Sequence, residues 1–90
     1  MLFEIFEWDE GNIEHILRHN VVLDEIEEAC VNKPYIRRTL NKRYLIYGVT
    51  DSGRYLLIVG IDKGKGIFRA ITARDMTGRE KSLYKRRWRK

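Results

Sequence analysis

The chain has one cysteine, one proline and no long apolar run. A lone Cys30 excludes an internal disulfide framework and any cysteine-based zinc site. A single proline beside 43% apolar residues excludes a proline-rich disordered segment and points to a folded chain. No stretch reaches the ~20 apolar residues of a membrane-spanning helix, and residues 1–10 lack the layout of a signal peptide. The expectation is a soluble, cytoplasmic protein with no membrane partner. Glycine-rich phosphate loops, a Ser-His-Asp order, helix-turn-helix or zinc-finger spacing, internal repeats and linkers are all missing. Ninety residues leave room for one domain, 1–90, with a modest core.

Charge is abundant and unevenly placed. The formal net charge is +5. Residues 1–34 hold nine acids against Arg18 and Lys33, whereas residues 35–90 hold sixteen Lys/Arg against Asp51, Asp62, Asp75 and Glu80. The second part is therefore the candidate surface for a polyanion.

The pattern of apolar residues predicts the order β-α-α-β-β-β-β-α. Residues 2–8 alternate imperfectly and read as a strand buried on both faces. Asp9 caps a helix whose stripe is Ile13, Ile16 and Leu17, and Asn20 ends it in a left-handed conformation. A second helix spans 24–32 behind an Asp24-x-x-Glu27 capping box and stops at Pro34. The period then changes to two over 35–40, 43–50, 55–61 and 67–73, with links too short for anything but antiparallel neighbours. Thr77-x-x-Glu80 opens a C-terminal basic helix that runs towards Trp88, with 85–90 read as a basic tail open to fraying. This is an α+β fold: two N-terminal helices and one C-terminal helix on an antiparallel β-meander.

The meander and last helix gather Arg54, Arg69, Arg74, Arg79 and Lys81 in one half of the chain. Arginine fits a phosphate with a planar fork of donors and stays charged at physiological pH. Tyr44, Tyr47, Tyr55, Tyr84 and Trp88 lie among these cations, as on surfaces that stack unpaired bases. Strand propensity alone also accounts for the tyrosines, so packing is the first role expected of each. Arg69 and Arg74 have opposite parity, and only a bulge brings both to one face of a strand. His15 and His19 stand four apart on a helix, a metal-binding spacing, but no third ligand accompanies them and no metal site is expected. His19 is set to act as a phosphate contact or proton carrier, or as a plain C-terminal cap. Cys30 reads as a small buried hydrophobe.

Two stretches go beyond composition: Phe6-Glu7-Trp8-Asp9 running on through Arg18-His19-Asn20-Val21 to Glu27-Glu28-Ala29, and Gly53-Arg54-Tyr55 with Arg69-Ala70-Ile71-Thr72-Ala73-Arg74, Arg79-Glu80 and Tyr84. Together they resemble the BrnT family, toxin halves of bacterial type II toxin–antitoxin pairs, over residues 3–86. The resemblance implies a RelE-like fold and a small ribonuclease that cleaves RNA and inhibits translation. It also implies a DNA-binding antitoxin, encoded alongside, that holds the toxin inactive. Trp8, His19, Arg54, Arg69, Arg74, Glu80 and Tyr84 fall on motif positions. The chain departs from the motif at Asn20, where the family has glycine, and at Val22, where it has a small polar cap; the acids after Val22 are left to satisfy the free N–H groups.

Metal-free and cofactor-free RNA cleavage needs a base for the 2′-hydroxyl, an acid for the departing 5′-oxygen and cations for the phosphorane-like charge. Arg54 and Arg74 are the expected phosphate clamp, and His19, Glu80 and Tyr84 the expected proton-transfer groups. Trp8, Arg69, Arg79 and Lys81 are the expected RNA contacts, with Trp8 set either to stack on a base or to close the sheet. Two other functions fit the same residues: a non-catalytic partner in an antitoxin–DNA complex, and a stand-alone basic module that binds RNA or DNA.

Overall fold

The protein is described by a computed structural model covering residues 3–88. Its elements are β1 (Ile5–Phe6), α1 (Glu10–Leu17), α2 (Leu23–Val31), β2 (Tyr35–Arg38), β3 (Arg43–Val49), β4 (Tyr55–Gly64), β5 (Ile67–Asp75) and α3 (Gly78–Trp88). The order is the expected one, and β2 to β5 form the expected antiparallel meander. The sheet as a whole is mixed, because β1 lies at its edge and runs parallel to β5 in the order β1-β5-β4-β3-β2. None of the described helices is long and apolar enough to cross a membrane.

Three expectations need correction. The first strand is two residues long with Ile5 exposed, so it is an edge strand and not one buried on both faces; Leu2 lies outside the described residues. Its weak alternation reflects Phe3 and Phe6 both packing into one core, where Phe3 meets Tyr44 edge-on and Phe68 at a tilt. The cap of α2 sits two residues earlier than Asp24: Val22 is the N-cap, and the Glu25 carboxylate accepts its backbone N–H at 3.0 Å. Valine has no acceptor to return, so only the glutamate half of the box is made. Finally, α3 continues through Lys85 to Trp88 instead of fraying, while Arg89 and Lys90 fall outside the described residues.

Local chemistry explains the remaining elements. Asp9 and Asn12 cap α1 reciprocally, each side chain accepting the other's backbone N–H. Asn20 takes φ 59° after the helix, the left-handed turn that asparagine tolerates. Asn41 and Lys42, both at positive φ, make the two-residue hairpin between β2 and β3. Thr77 and Glu80 form the full capping box of α3.

The sheet buries both faces. On one side α1 and α2 cover Tyr44, Ile46, Leu56, Ile58, Phe68, Ala70 and Ala73, with Cys30 fully buried on α2; that burial pushes its thiol up to about 12. On the other side α3 brings Tyr84 against Tyr47, Leu57 and Met76. Between Arg69 and Arg74 the pairing of β5 with β4 slips: Thr72 opposes Val59 but Ala70 opposes Gly60. Ile71 is thus the extra residue of a β-bulge, and Arg69 and Arg74 oppose Ile61 and Leu57, two same-face positions of β4.

Candidate functional site

The C-terminal end of β5 is where most of the singled-out residues meet. Arg54 opens β4 and faces Asp75 at the end of β5, joining it through Nε–Oδ1 at 2.7 Å and Nη2–Oδ2 at 3.2 Å. Its Nη1 donates to the Asn20 carbonyl at 2.8 Å and to Glu25 at 3.0 Å. One guanidinium therefore ties the α1–α2 turn and the start of α2 to the end of β5, from the residue just before β4. Four of its five N–H donors are committed, and its side chain is 26% exposed. A phosphate contact from Arg54 requires exchange of one of these partners.

Arg74 is built differently. It holds Glu80 end-on, Nη1–Oε1 at 2.7 Å and Nη2–Oε2 at 2.8 Å, and Nη1 also donates to the Asp75 carbonyl at 3.1 Å. Its side chain is 48% exposed. The Nε/Nη2 edge, the one with which Arg54 grips Asp75, keeps both of its outward N–H groups without a partner among the described residues. Arg74 thus offers an open bidentate fork, whereas Arg54 does not.

Glu80 accepts from Arg74 and from the Thr77 backbone N–H, and the Arg74 hydrogen bonds hold its carboxyl at about 2, well below the ordinary 4.5. At neutral pH it is a carboxylate with little basicity, so it suits placing Arg74 and capping α3 better than carrying a proton. Tyr84 is buried, and its hydroxyl donates to the Lys33 carbonyl at 2.8 Å while its ring meets Tyr55 edge-on. The hydroxyl is thus turned inward, and Tyr84 anchors α3 to the segment that follows α2.

His19 is exposed at the end of α1, next to Asn20 and so next to the Arg54 clasp. His15, which the sequence suggested only as a metal ligand, lies 5.2 Å from the His19 ring, and its Nε2 is 3.2 Å from the Thr72 hydroxyl on β5. The signal for it was the four-residue histidine spacing, but the strand it touches was not readable without the fold. Asn12 was missed as well. It is buried, and its amide donates to the carbonyls of Glu7 and Ala70, fastening α1 to β5.

Two of the other expected RNA contacts, Arg69 and Trp8, lie apart from this cluster. Arg69 sits near the other end of α1, where Asp9 takes Nη1 at 2.6 Å and Nη2 at 3.2 Å and Glu7 takes Nη1 at 3.1 Å. This pairing holds the Asp9 carboxyl at about 2. Trp8 lies on the acidic side of the molecule, stacked on Phe6 at 6.3 Å with its indole N–H donated to Glu27 at 3.1 Å. Arg79 and Lys81 are exposed on α3, and the Lys81 ammonium lies over the Tyr55 ring.

Comparison with models of known protein families and with curated proteins finds no match for this chain.

Proposed function

We propose that this protein is a toxin-type endoribonuclease with a RelE-like fold, resembling the BrnT family, that cleaves RNA without a metal and is held by a partner antitoxin. The observation that carries this reading is the open Nε/Nη2 edge of the half-exposed Arg74 at the end of β5, with His15 touching Thr72 of the same strand and His19 beside His15. In the reaction, a histidine takes the 2′-hydroxyl proton and the 2′-oxygen attacks the adjacent phosphorus. The bond from phosphorus to the 5′-oxygen breaks, and a second proton carrier protonates that oxygen, leaving a 2′,3′-cyclic phosphate and a 5′-hydroxyl. Arg74 stabilises the charge that grows on the non-bridging oxygens. His19 and His15 are the proton carriers, since an imidazole nitrogen can accept a proton from one oxygen and return it to another. Glu80 positions Arg74, and Arg54 and Tyr84 hold the surrounding backbone.

A second reading is favoured by one observation: Arg54 and Arg69 are closed by carboxylates, as suits a non-catalytic member that keeps the fold and its regulatory complex. Incubating the purified protein with single-stranded RNA in the presence of a chelator separates the two. The ribonuclease yields fragments with cyclic phosphate ends and leaves the all-DNA equivalent intact; intact RNA favours the non-catalytic member.

A further inference from the structure

The ion pairs divide the basic residues into two sets. Arg54, Arg69 and Arg74 are met by carboxylates. On α3, Arg79, Lys81, Lys85, Arg86 and Arg87 have no carboxylate partner among the described residues, and the single acid of that helix, Glu80, is taken by Arg74. The strongest unbalanced positive charge on a regular element therefore follows α3, and aromatic rings lie under it. Lys81 and Lys85 sit over Tyr55 at 5.8 and 5.2 Å, and the Arg87 guanidinium lies 5.1 Å from the centre of the Tyr35 ring. Tyr35 in turn stacks on Tyr47 at 5.5 Å and 25°.

Beside this stack is a pocket of about 440 Å³ lined by Pro34, Tyr35, Ile36, Arg87 and Trp88. Trp88 is a large aromatic left 42% exposed at its rim. We infer that this pocket is a nucleobase subsite, which takes an unpaired base of a single-stranded RNA whose phosphates run along α3. A nucleobase is a flat π surface that stacks on indole or on a guanidinium plane, and its own phosphate satisfies the adjacent cations. Among the described residues, the lining carries no acidic side chain to repel that phosphate. The Arg87 guanidinium lies over the Tyr35 ring with no carboxylate partner among the described residues, so binding costs it no such ion pair.

The inference rests on the ribonuclease reading for the identity of the strand and adds a place where it is gripped. From Glu80 to Trp88 α3 rises about 12 Å, so the subsite lies along the helix from the Arg74–Glu80 pair. A strand of a few nucleotides reaches both, and the base in the pocket is not the one flanking the scissile phosphate.

The test uses the full chain carrying Trp8→Phe, which leaves Trp88 as its one tryptophan. The probe is a fully 2′-O-methylated oligouridine of about eight nucleotides, single-stranded and resistant to 2′-hydroxyl attack. Trp88 fluorescence is quenched on titration, and Arg87→Ala, an exposed substitution, weakens the apparent affinity by about 5- to 150-fold, the range set by loss of one stacked base. Absence of quenching overturns the subsite, even if the wild type cleaves RNA. Quenching with no cleavage by the wild type keeps the subsite and removes the enzyme reading. Equal quenching by duplex RNA, or quenching by polyglutamate but not by the oligouridine, overturns it in favour of a general polyanion patch or an acidic peptide site.

Discussion

Arg54 and Arg74 look equivalent in the sequence, each an arginine at a motif position, and the fold gives them different work. The partners that distinguish them are Glu25 and Asn20, 29 and 34 residues away, and Asp75, 21 residues away. No local pattern encodes those distances, which is why the clasp was unreadable while the arginines themselves stood out. The parity conflict between Arg69 and Arg74 was readable, and so was its remedy, the bulge now seen at Ile71. Because Arg54 is partly buried and charge-bonded at several points, Arg54→Ala leaves Glu25 without its cation and the Asn20 carbonyl without this donor. The expected loss is about 2 kcal/mol, discounted for the exposed Asp75. Arg54→Lys restores only part of it, because an ammonium cannot span the fork. Urea unfolding measures both; a loss under about 0.5 kcal/mol for Arg54→Ala contradicts the clasp.

At the level of elements, capping chemistry and periodicity were good guides. Asp9 caps α1, Asn20 turns the chain left-handed, and Thr77 with Glu80 opens α3, each by a side chain acting within a few residues. The start of α2 was less readable because two acids compete and Val22 offers no side-chain acceptor. The parallel pairing of β1 was unreadable because it depends on where β5 ends up, not on β1's own sequence. Close packing of α2 on β3 hinges on Gly48: a Cβ there meets the Ala29 carbonyl oxygen at 2.1 Å. That atom is helix backbone and has no rotamer to escape into, so Gly48→Ala must push α2 off the sheet. The expected cost is about 3 kcal/mol or more, visible as a large drop in urea midpoint and as faster hydrogen exchange in α2. An unchanged midpoint contradicts the packing described.

For the whole molecule, the split between an acidic first third and a basic remainder was plain in the sequence, but its consequence was not. Acids of the first part fold back onto arginines of the second: Glu25 onto Arg54, and Glu7 and Asp9 onto Arg69. The positive surface is therefore narrower than the count of cations suggests, and its densest run on one element follows α3. These pairs also set the acid limit of the fold. Asp9 and Glu80 are held at about 2 in the folded protein, against ordinary values of 3.8 and 4.5. The unfolded chain takes up these protons first, so their stabilisation is complete above about pH 4.5 and is lost as pH falls towards 2. Tm should decline across that window, and less steeply in Glu80→Gln; a Tm independent of pH there contradicts the pairing. The function itself is tested most directly by the rate at which purified protein cleaves single-stranded RNA in chelator, wild type beside Arg74→Ala. Cyclic phosphate ends are expected, with a rate about 30- to 1000-fold lower in Arg74→Ala, the loss of one donor to the developing charge. Equal rates, or no cleavage by the wild type, contradict it.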